Sequence, residues 1–99
     1  MLSKRLLKLR HDRTEIGFLS ARLLEEESAT ESSWQLRVEE PASVEGFRDH
    51  LTDGSSMSLG MVTRDGVHLR GEAYVSSISD GMDAARMVVL AGTGPLRRA

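Results

Sequence analysis

The stretch MSLGMVTRDGVHLRGEAYV, residues 57–75, decides the fold. On both sides of its centre, apolar residues alternate with polar ones, which is the period of a strand with one face on a core and one in water. The centre is Arg64-Asp65-Gly66, and an Asp-Gly pair supplies the positive φ angles of a tight hairpin turn. The stretch therefore predicts a β-hairpin. Its apolar face consists of Met57, Leu59, Met61, Val67, Leu69, Ala73 and Val75.

Further strands are predicted on either side of this hairpin. Residues 34–38 show the same alternation, and we expect Pro41 to end that strand. The turn-like residues 11–14 and the apolar residues within 16–23 favour an earlier hairpin. Residues 87–91 are apolar at every position, which is typical of a strand covered on both faces. In a chain of this size, the second cover would be a helix or another subunit.

A short helix is predicted between Ser43 and Gly54. Val44, Phe47 and Leu51 fall at positions i, i+3 and i+7, so they form one stripe that would face a core. Ser43 can accept hydrogen bonds from amides of the first turn, and Gly54 supplies the left-handed residue that ends a helix.

The first thirteen residues fit more than one structure. Leu2, Leu6 and Leu9 would share a helical face, whereas Leu7 and Leu9 would share a strand face. A disordered basic arm is the third alternative, and the spacing alone does not choose among them.

Together these elements predict a mainly β (α+β) protein with a single domain over residues 1–99. About six antiparallel strands would form a barrel or a sandwich, with the helix over residues 44–53 between the third and fourth strands. Every connection except the helical one is short enough to join neighbouring antiparallel strands.

Composition and charge narrow the functional classes. The chain has no cysteine, which excludes disulfides, thiolate zinc sites and cysteine nucleophiles. No apolar run reaches the length of a membrane helix, and the basic start lacks the apolar core of a signal peptide, so a cytoplasmic protein is expected. The net charge of −2 hides five basic side chains and one acid in residues 1–13, against three arginines and ten acids in residues 14–54.

The corner Gly92-Thr93-Gly94-Pro95 resembles a phosphate-binding loop in composition. Such a loop holds its anion at the N-terminus of the helix that follows, and the four residues after Pro95 are too few for one. The corner is therefore interpreted as the end of the last strand.

No catalytic or metal-binding constellation is predicted. His11, His50 and His68 fall on a turn, a helix and the outer face of a strand, with no pair at ligand spacing. No nucleophile elbow is present. We therefore expect no enzymatic activity, no metal and no cofactor.

One outer face carries a candidate ligand site. Arg70 and Tyr74 share the polar side of their predicted strand, as a small-ligand or single-strand binder would require. The other three aromatic residues, Phe18, Trp34 and Phe47, lie on predicted core faces, so nucleic acid is not the favoured partner.

The segments VHLRGEAYVSSIS (67–79) and ARMVVLAGTGPL (85–96) resemble the closing strands of phage tail-tube and related tail or baseplate proteins. The order of strand, short helix, hairpin and last strand over residues 34–96 is also similar to that of small bacterial proteins of unknown function. The resemblance implies a structural role in an assembly, and it transfers no functional residue.

The leading functional prediction is a non-enzymatic interaction or assembly protein, of which a phage-derived structural component is one form. A protein partner or self-association is expected, and binding of a small ligand or single-stranded nucleic acid is the alternative. The residues predicted at a subunit contact also suit a core, because methionine readily fills core gaps. They are Met57, Met61, Met87, Val88, Val89 and Leu90.

Overall fold

A computed structural model describes residues 2–27, 32–79 and 86–99 of the chain. These ranges contain one helix, α1 (Glu45–Asp53), and eight strands. The strands are β1 (Leu2–His11), β2 (Thr14–Glu15), β3 (Phe18–Glu27), β4 (Ser32–Pro41), β5 (Ser56–Thr63), β6 (His68–Ser79), β7 (Met87–Gly92) and β8 (Arg97–Arg98).

Six of the strands close into an antiparallel barrel in the order β1-β3-β4-β7-β6-β5, and β5 pairs back onto β1. Two meanders, β1-β3-β4 and β5-β6-β7, form the two halves of this barrel. They are joined where β4 pairs with β7 and where β1 pairs with β5. The prediction of a mainly β, antiparallel protein is confirmed. Because β5 pairs with β1, the sheet is a closed barrel and not a sandwich.

The helix lies between β4 and β5, so its predicted place between the third and fourth strands was wrong. The difference is the two-residue strand β2, in which Glu15 pairs with Arg10 and Thr14 with His11 of β1. The sequence suggested only a turn here, because two residues are too short to show an alternation.

The barrel interior holds the single hydrophobic core. Alternate residues of the strands point into it, as strand geometry requires. Among the described residues, Thr63 is the only buried polar side chain. Its hydroxyl donates to Asp65 and accepts from the Val67 amide at 3.0 Å. The apolar core consists of Leu6, Leu9, Ala21, Leu23, Trp34, Leu36, Val38, Val44, Phe47, Met57, Leu59, Met61, Leu69, Ala73, Val75, Val88 and Leu90.

A β-bulge in β1 explains why the leucine spacing was ambiguous. The register against β5 shifts between Leu6 and Lys8, so one extra residue is inserted there. Leu6 and Leu9 both point into the core while Leu7 is exposed. Two inward residues three positions apart imitate a helical face, although the segment is a strand.

The helix covers the barrel with its first turn. Phe47 is buried and α1 packs against β6, but Leu51 is 40% exposed, so its predicted place on the core stripe was wrong. The last turn of this nine-residue helix extends away from the core instead. Gly54 ends the helix in the left-handed conformation, as predicted, with φ +72 and its amide donating to the carbonyl of His50. The Ser43 hydroxyl accepts from the Glu45 amide at 3.3 Å, although Val44 occupies the N-cap.

The predicted β5–β6 hairpin is present, with a turn longer than expected. Gly66 has φ +89, but Asp65 is not in the positive-φ region, so only one of the two residues adopts it. The Gly66 amide donates to the Thr63 carbonyl, and the Thr63 amide donates to the Val67 carbonyl. In the described ranges, no helix is long and apolar enough to cross a membrane.

Candidate anion-binding groove

Strand register places three arginines in one row on the outside of the barrel. Arg10 of β1 and Arg70 of β6 both pair with Gly60 of β5, and Arg70 pairs with Arg97 of β8. All three arginines are exposed. Neighbouring strands lie about 4.8 Å apart, so the row from β1 to β8 is about 14 Å wide. A second row, two residues along, contains Lys8, Val62 and His68; we call the outer face of β1, β5, β6 and β8 the basic face.

Gly60 forms the floor between Arg10 and Arg70. A Cβ built at Gly60 would have the Arg10 Cβ, at 3.9 Å, as its nearest neighbour, which is an ordinary contact. Packing therefore does not require glycine here. A glycine inside a strand weakens it and often marks a place where a ligand approaches the backbone closely.

A groove of about 850 Å³ runs over this floor. Its polar lining includes the cations Lys8, Arg10, Arg13 and Arg70, whose charge is only partly balanced by two acids, Asp12 and Glu15. A smaller depression of about 390 Å³ adjoins it through Ser58 and Arg70, and Arg97 lines that one. Together the two depressions, here called the channel, are lined by five lysines and arginines and by three acids, since Glu72 lines the smaller one.

The cations of the channel are not used to hold the fold together. The described ion pairs join His11 to Asp12 at 3.6 Å and Arg86 to Glu40 at 3.8 Å, and neither includes Arg10, Arg70 or Arg97. Like charges on neighbouring strands destabilise a sheet. Folding stability therefore does not account for Arg70 and Arg97 as direct neighbours, with Arg10 in the same row.

Acids are also exposed on other elements of the barrel. The exposed carboxylates of β3, β4 and α1 are Glu26, Glu39, Glu45, Asp49 and Asp53. In the barrel order, β3 and β4 lie across from β5 and β6. The exposed acids are therefore spread over several elements, because α1 packs against β6, and β3 and β4 also carry the exposed Arg22 and Arg37.

The predicted ligand residues Arg70 and Tyr74 both lie on the outer face of β6, and both are exposed. Only Arg70 lines the groove. Tyr74 pairs with Ser56 and Ala91, and Glu72 separates it from Arg70 along the strand. Four residues of strand span about 13 Å, so the two side chains do not form one site.

The predicted subunit-contact residues divide between two faces. The side chains of Met57, Met61, Val88 and Leu90 are at most 2% exposed and fill the barrel. Met87 and Val89 lie half-buried on the outer face of β7. Only the latter two could reach a partner without opening the barrel, and a contact through them stays a prediction.

The glycine corner is a packing feature for Trp34. A Cβ on Gly92 would lie 2.2 Å from the indole Nε1, and one on Gly71 would lie 2.8 Å from the indole ring. The Nε1 donates to the carbonyl of Gly94 at 2.7 Å. The corner therefore ends β7 and satisfies a buried indole, and it offers no phosphate cradle.

His11, His50 and Ser55 form a chain of contacts. The rings of His11 and His50 meet edge to face, 5.2 Å between centroids, while His68 lies apart in the groove. Ser55 donates to Asp53 at 2.6 Å, and its hydroxyl is 2.7 Å from Nδ1 of His50. The acid therefore holds the serine and not the histidine, so the histidine is not oriented as in a triad. Across the described ranges, no three potential ligands converge on a metal position.

The sequence did not single out Lys8, Arg10, Gly60 or Arg97. They come from three separate segments of the chain, and only the pairings of β5 with β1 and of β6 with β8 bring them together. The only feature of the sequence that pointed to the groove was Gly60, a glycine inside an alternating strand. Such a glycine suggests that a ligand approaches the backbone closely, but only once the residues on the adjacent strands are known.

Comparison of the chain with protein-family models, with curated proteins and with solved structures gave no match.

Proposed function

We propose that this chain is a non-enzymatic interaction protein that binds a polyanionic partner through its basic face. The observation that carries the proposal is the row of Arg10, Arg70 and Arg97 around Gly60, exposed and outside the described ion pairs. Clefts lined by charge of one sign concentrate field lines and attract ligands of the opposite sign.

Arginine suits this role better than lysine. Its planar guanidinium presents five donors in a fixed fork that matches phosphate, sulfate and carboxylate oxygens, two bonds at a time. Three such forks in one row across the strands favour a ligand that repeats its negative charge. Self-assembly, which the resemblance to phage tail proteins implies, remains a prediction from the sequence.

The test is retention on immobilised heparin, a sulfated polyanion. We expect the wild-type chain to be retained at 50 mM salt and eluted by higher salt, because exposed charges are screened beyond about 10 Å at 0.1 M. The double variant Arg10→Glu/Arg70→Glu should lose retention.

A matched control exists on the other side of the barrel. Arg22 and Arg37 are paired neighbours on the outer face of β3 and β4, and both are exposed. The variant Arg22→Glu/Arg37→Glu changes the net charge by the same amount and should still be retained. Equal loss in the two variants, or no retention of the wild type, would show that the basic face is not the binding site.

A further inference from the structure

We infer that the polyanion is a single-stranded nucleic acid, held by its phosphates and not by its bases. This inference rests on the proposed function and names the partner of the same face. Three features of the groove support it: its lack of apolar anchors, the arrangement of its cations, and its lack of stacking rings.

Protein partners need apolar or aromatic anchors, which dominate the energy of most interfaces. The residues that the structure describes around the groove offer almost none. Leu59, Met61 and Leu69 line its floor, but their side chains are buried in the barrel. Val62 is the only apolar side chain that the described part of β5 presents outward there, and it is half-buried. An acidic protein segment would therefore gain little beyond charge attraction.

The cations are spaced for a chain of phosphates. Arg10 and Arg70 flank Gly60 on strands two spacings apart, about 10 Å, and Lys8 lies one row away, about 7 Å along the strand. Arg97 pairs with Arg70 and so extends the row of arginines by one strand. A strand that crosses the groove can approach the glycine floor while its phosphates meet cations on both sides. Three or four phosphates would be neutralised in this way.

The described lining of the groove offers no aromatic platform for base stacking. Proteins that bind single strands through bases use exposed aromatic platforms. Here Trp34 and Phe47 are buried, and Tyr74 lies about 13 Å from Arg70. Among the described residues, His68 is the only aromatic ring that lines the groove. Binding should therefore be independent of base sequence. A flexible single strand can bend so that successive phosphates meet the arginines, whereas a duplex of this length holds its phosphates in fixed positions, so we expect the single strand to bind more tightly.

The experiment is fluorescence anisotropy with labelled 20-nucleotide oligomers of thymidine, a matched duplex, and an abasic deoxyribose-phosphate oligomer of the same length. Neutralising three or four phosphates of a single strand gives a slope of about −2 to −3 for log K against log salt. Raising salt from 50 to 200 mM should then weaken binding about 20- to 50-fold. The abasic oligomer should bind within about threefold of the thymidine oligomer, because bases contribute little.

Variants separate charge from shape. Arg70→Ala should reduce the magnitude of the salt slope by about 0.7, the value for one phosphate contact. Arg37→Ala, on the far side of the barrel, and Tyr74→Ala, outside the groove, should leave both slope and affinity unchanged. Gly60→Thr keeps the charge and suits a strand, but it fills the floor and should weaken binding about tenfold without lowering stability.

Each contrary result has a distinct meaning. Retention on heparin without binding to any oligomer would overturn the nucleic-acid inference and leave the proposed function standing. Failure to bind either polyanion would overturn both. A thymidine oligomer that binds more than tenfold tighter than the abasic one would overturn the phosphate-only mode, and tighter binding of the duplex would overturn the preference for a single strand.

Discussion

At the scale of single residues, a substitution at Gly92 can test how tightly the Trp34 indole packs against β7. Gly92→Ala places a Cβ 2.2 Å from the indole nitrogen, which no side-chain Cβ tolerates, so the indole or strand β7 must shift. Overpacking of this kind costs about 1–3 kcal/mol. We expect the free energy of unfolding to fall by that amount, measured by urea denaturation followed by circular dichroism.

The neighbouring glycine is the matched control for this prediction. A Cβ at Gly94 meets nothing within 4 Å, so Gly94→Ala should change stability by no more than about 0.5 kcal/mol. Its carbonyl would still accept the Trp34 hydrogen bond. Equal stability of the two variants would show that the indole is not fixed against β7.

Asp65 makes the stability of the β5–β6 hairpin depend on pH. The hydrogen bond from the Thr63 hydroxyl favours the ionised carboxylate and holds the pKa of Asp65 below its ordinary value of 3.8. The stabilisation is present above that ordinary pKa and is lost as pH falls through the lower folded value. Between pH 7 and pH 3, the wild type should therefore lose more stability in urea than Asp65→Asn. An equal loss in both proteins would refute this contribution.

At the scale of elements, substitutions in β7 can show which of its two faces packs in the core. Val88 is fully buried, and Val88→Asp would leave an unpaired carboxylate in the core, at a cost of about 4 kcal/mol or more. The next residue, Val89, lies on the outer face opposite Arg37, which gives a carboxylate a cationic neighbour. Circular dichroism should show Val88→Asp unfolded and Val89→Asp folded. A folded Val88→Asp variant would mean that β7 does not line the core.

Alternation in the sequence predicted the strands that run straight and have one polar face. The inward residues Trp34, Leu36 and Val38 of β4 are buried as expected. The prediction of strands from alternation failed where an irregularity in the strand interrupts that alternation. The β1 bulge imitates helical spacing, and β2 is two residues long. Periodicity describes neighbours along the chain, so it carries no information about these irregularities.

The groove could not be predicted from periodicity either, because its residues come from separate strands. A one-residue change of register would turn Arg70 to the other face, so its place beside Arg10 and Arg97 depends on pairings between distant segments. The sequence did predict that Arg70 faces outward, because that follows from its own strand. Which residues lie beside it follows only from how the barrel closes.

At the scale of the whole molecule, closure of the barrel bears on self-association. Each of the six barrel strands pairs on both sides over part of its length, which removes most of the unpaired edge through which sheets join. The described large apolar side chains that are exposed lie on four different elements and form no shared element face. They are Leu7, Leu19, Leu51 and Tyr74. Single exposed apolar residues do not drive association.

We therefore expect any self-association of the chain in solution to depend on charge. We expect light scattering at 150 mM salt to give the mass of one chain over a hundredfold range of concentration. At 20 mM salt the mass should rise with concentration, because exposed carboxylates of one copy attract the basic face of another when screening is weak. Arg10→Glu/Arg70→Glu should abolish that rise. A dimer or ring that persists at high salt would contradict this expectation. It would point instead to an apolar contact through Met87 and Val89, and Val89→Asp would then lower the mass without unfolding the chain.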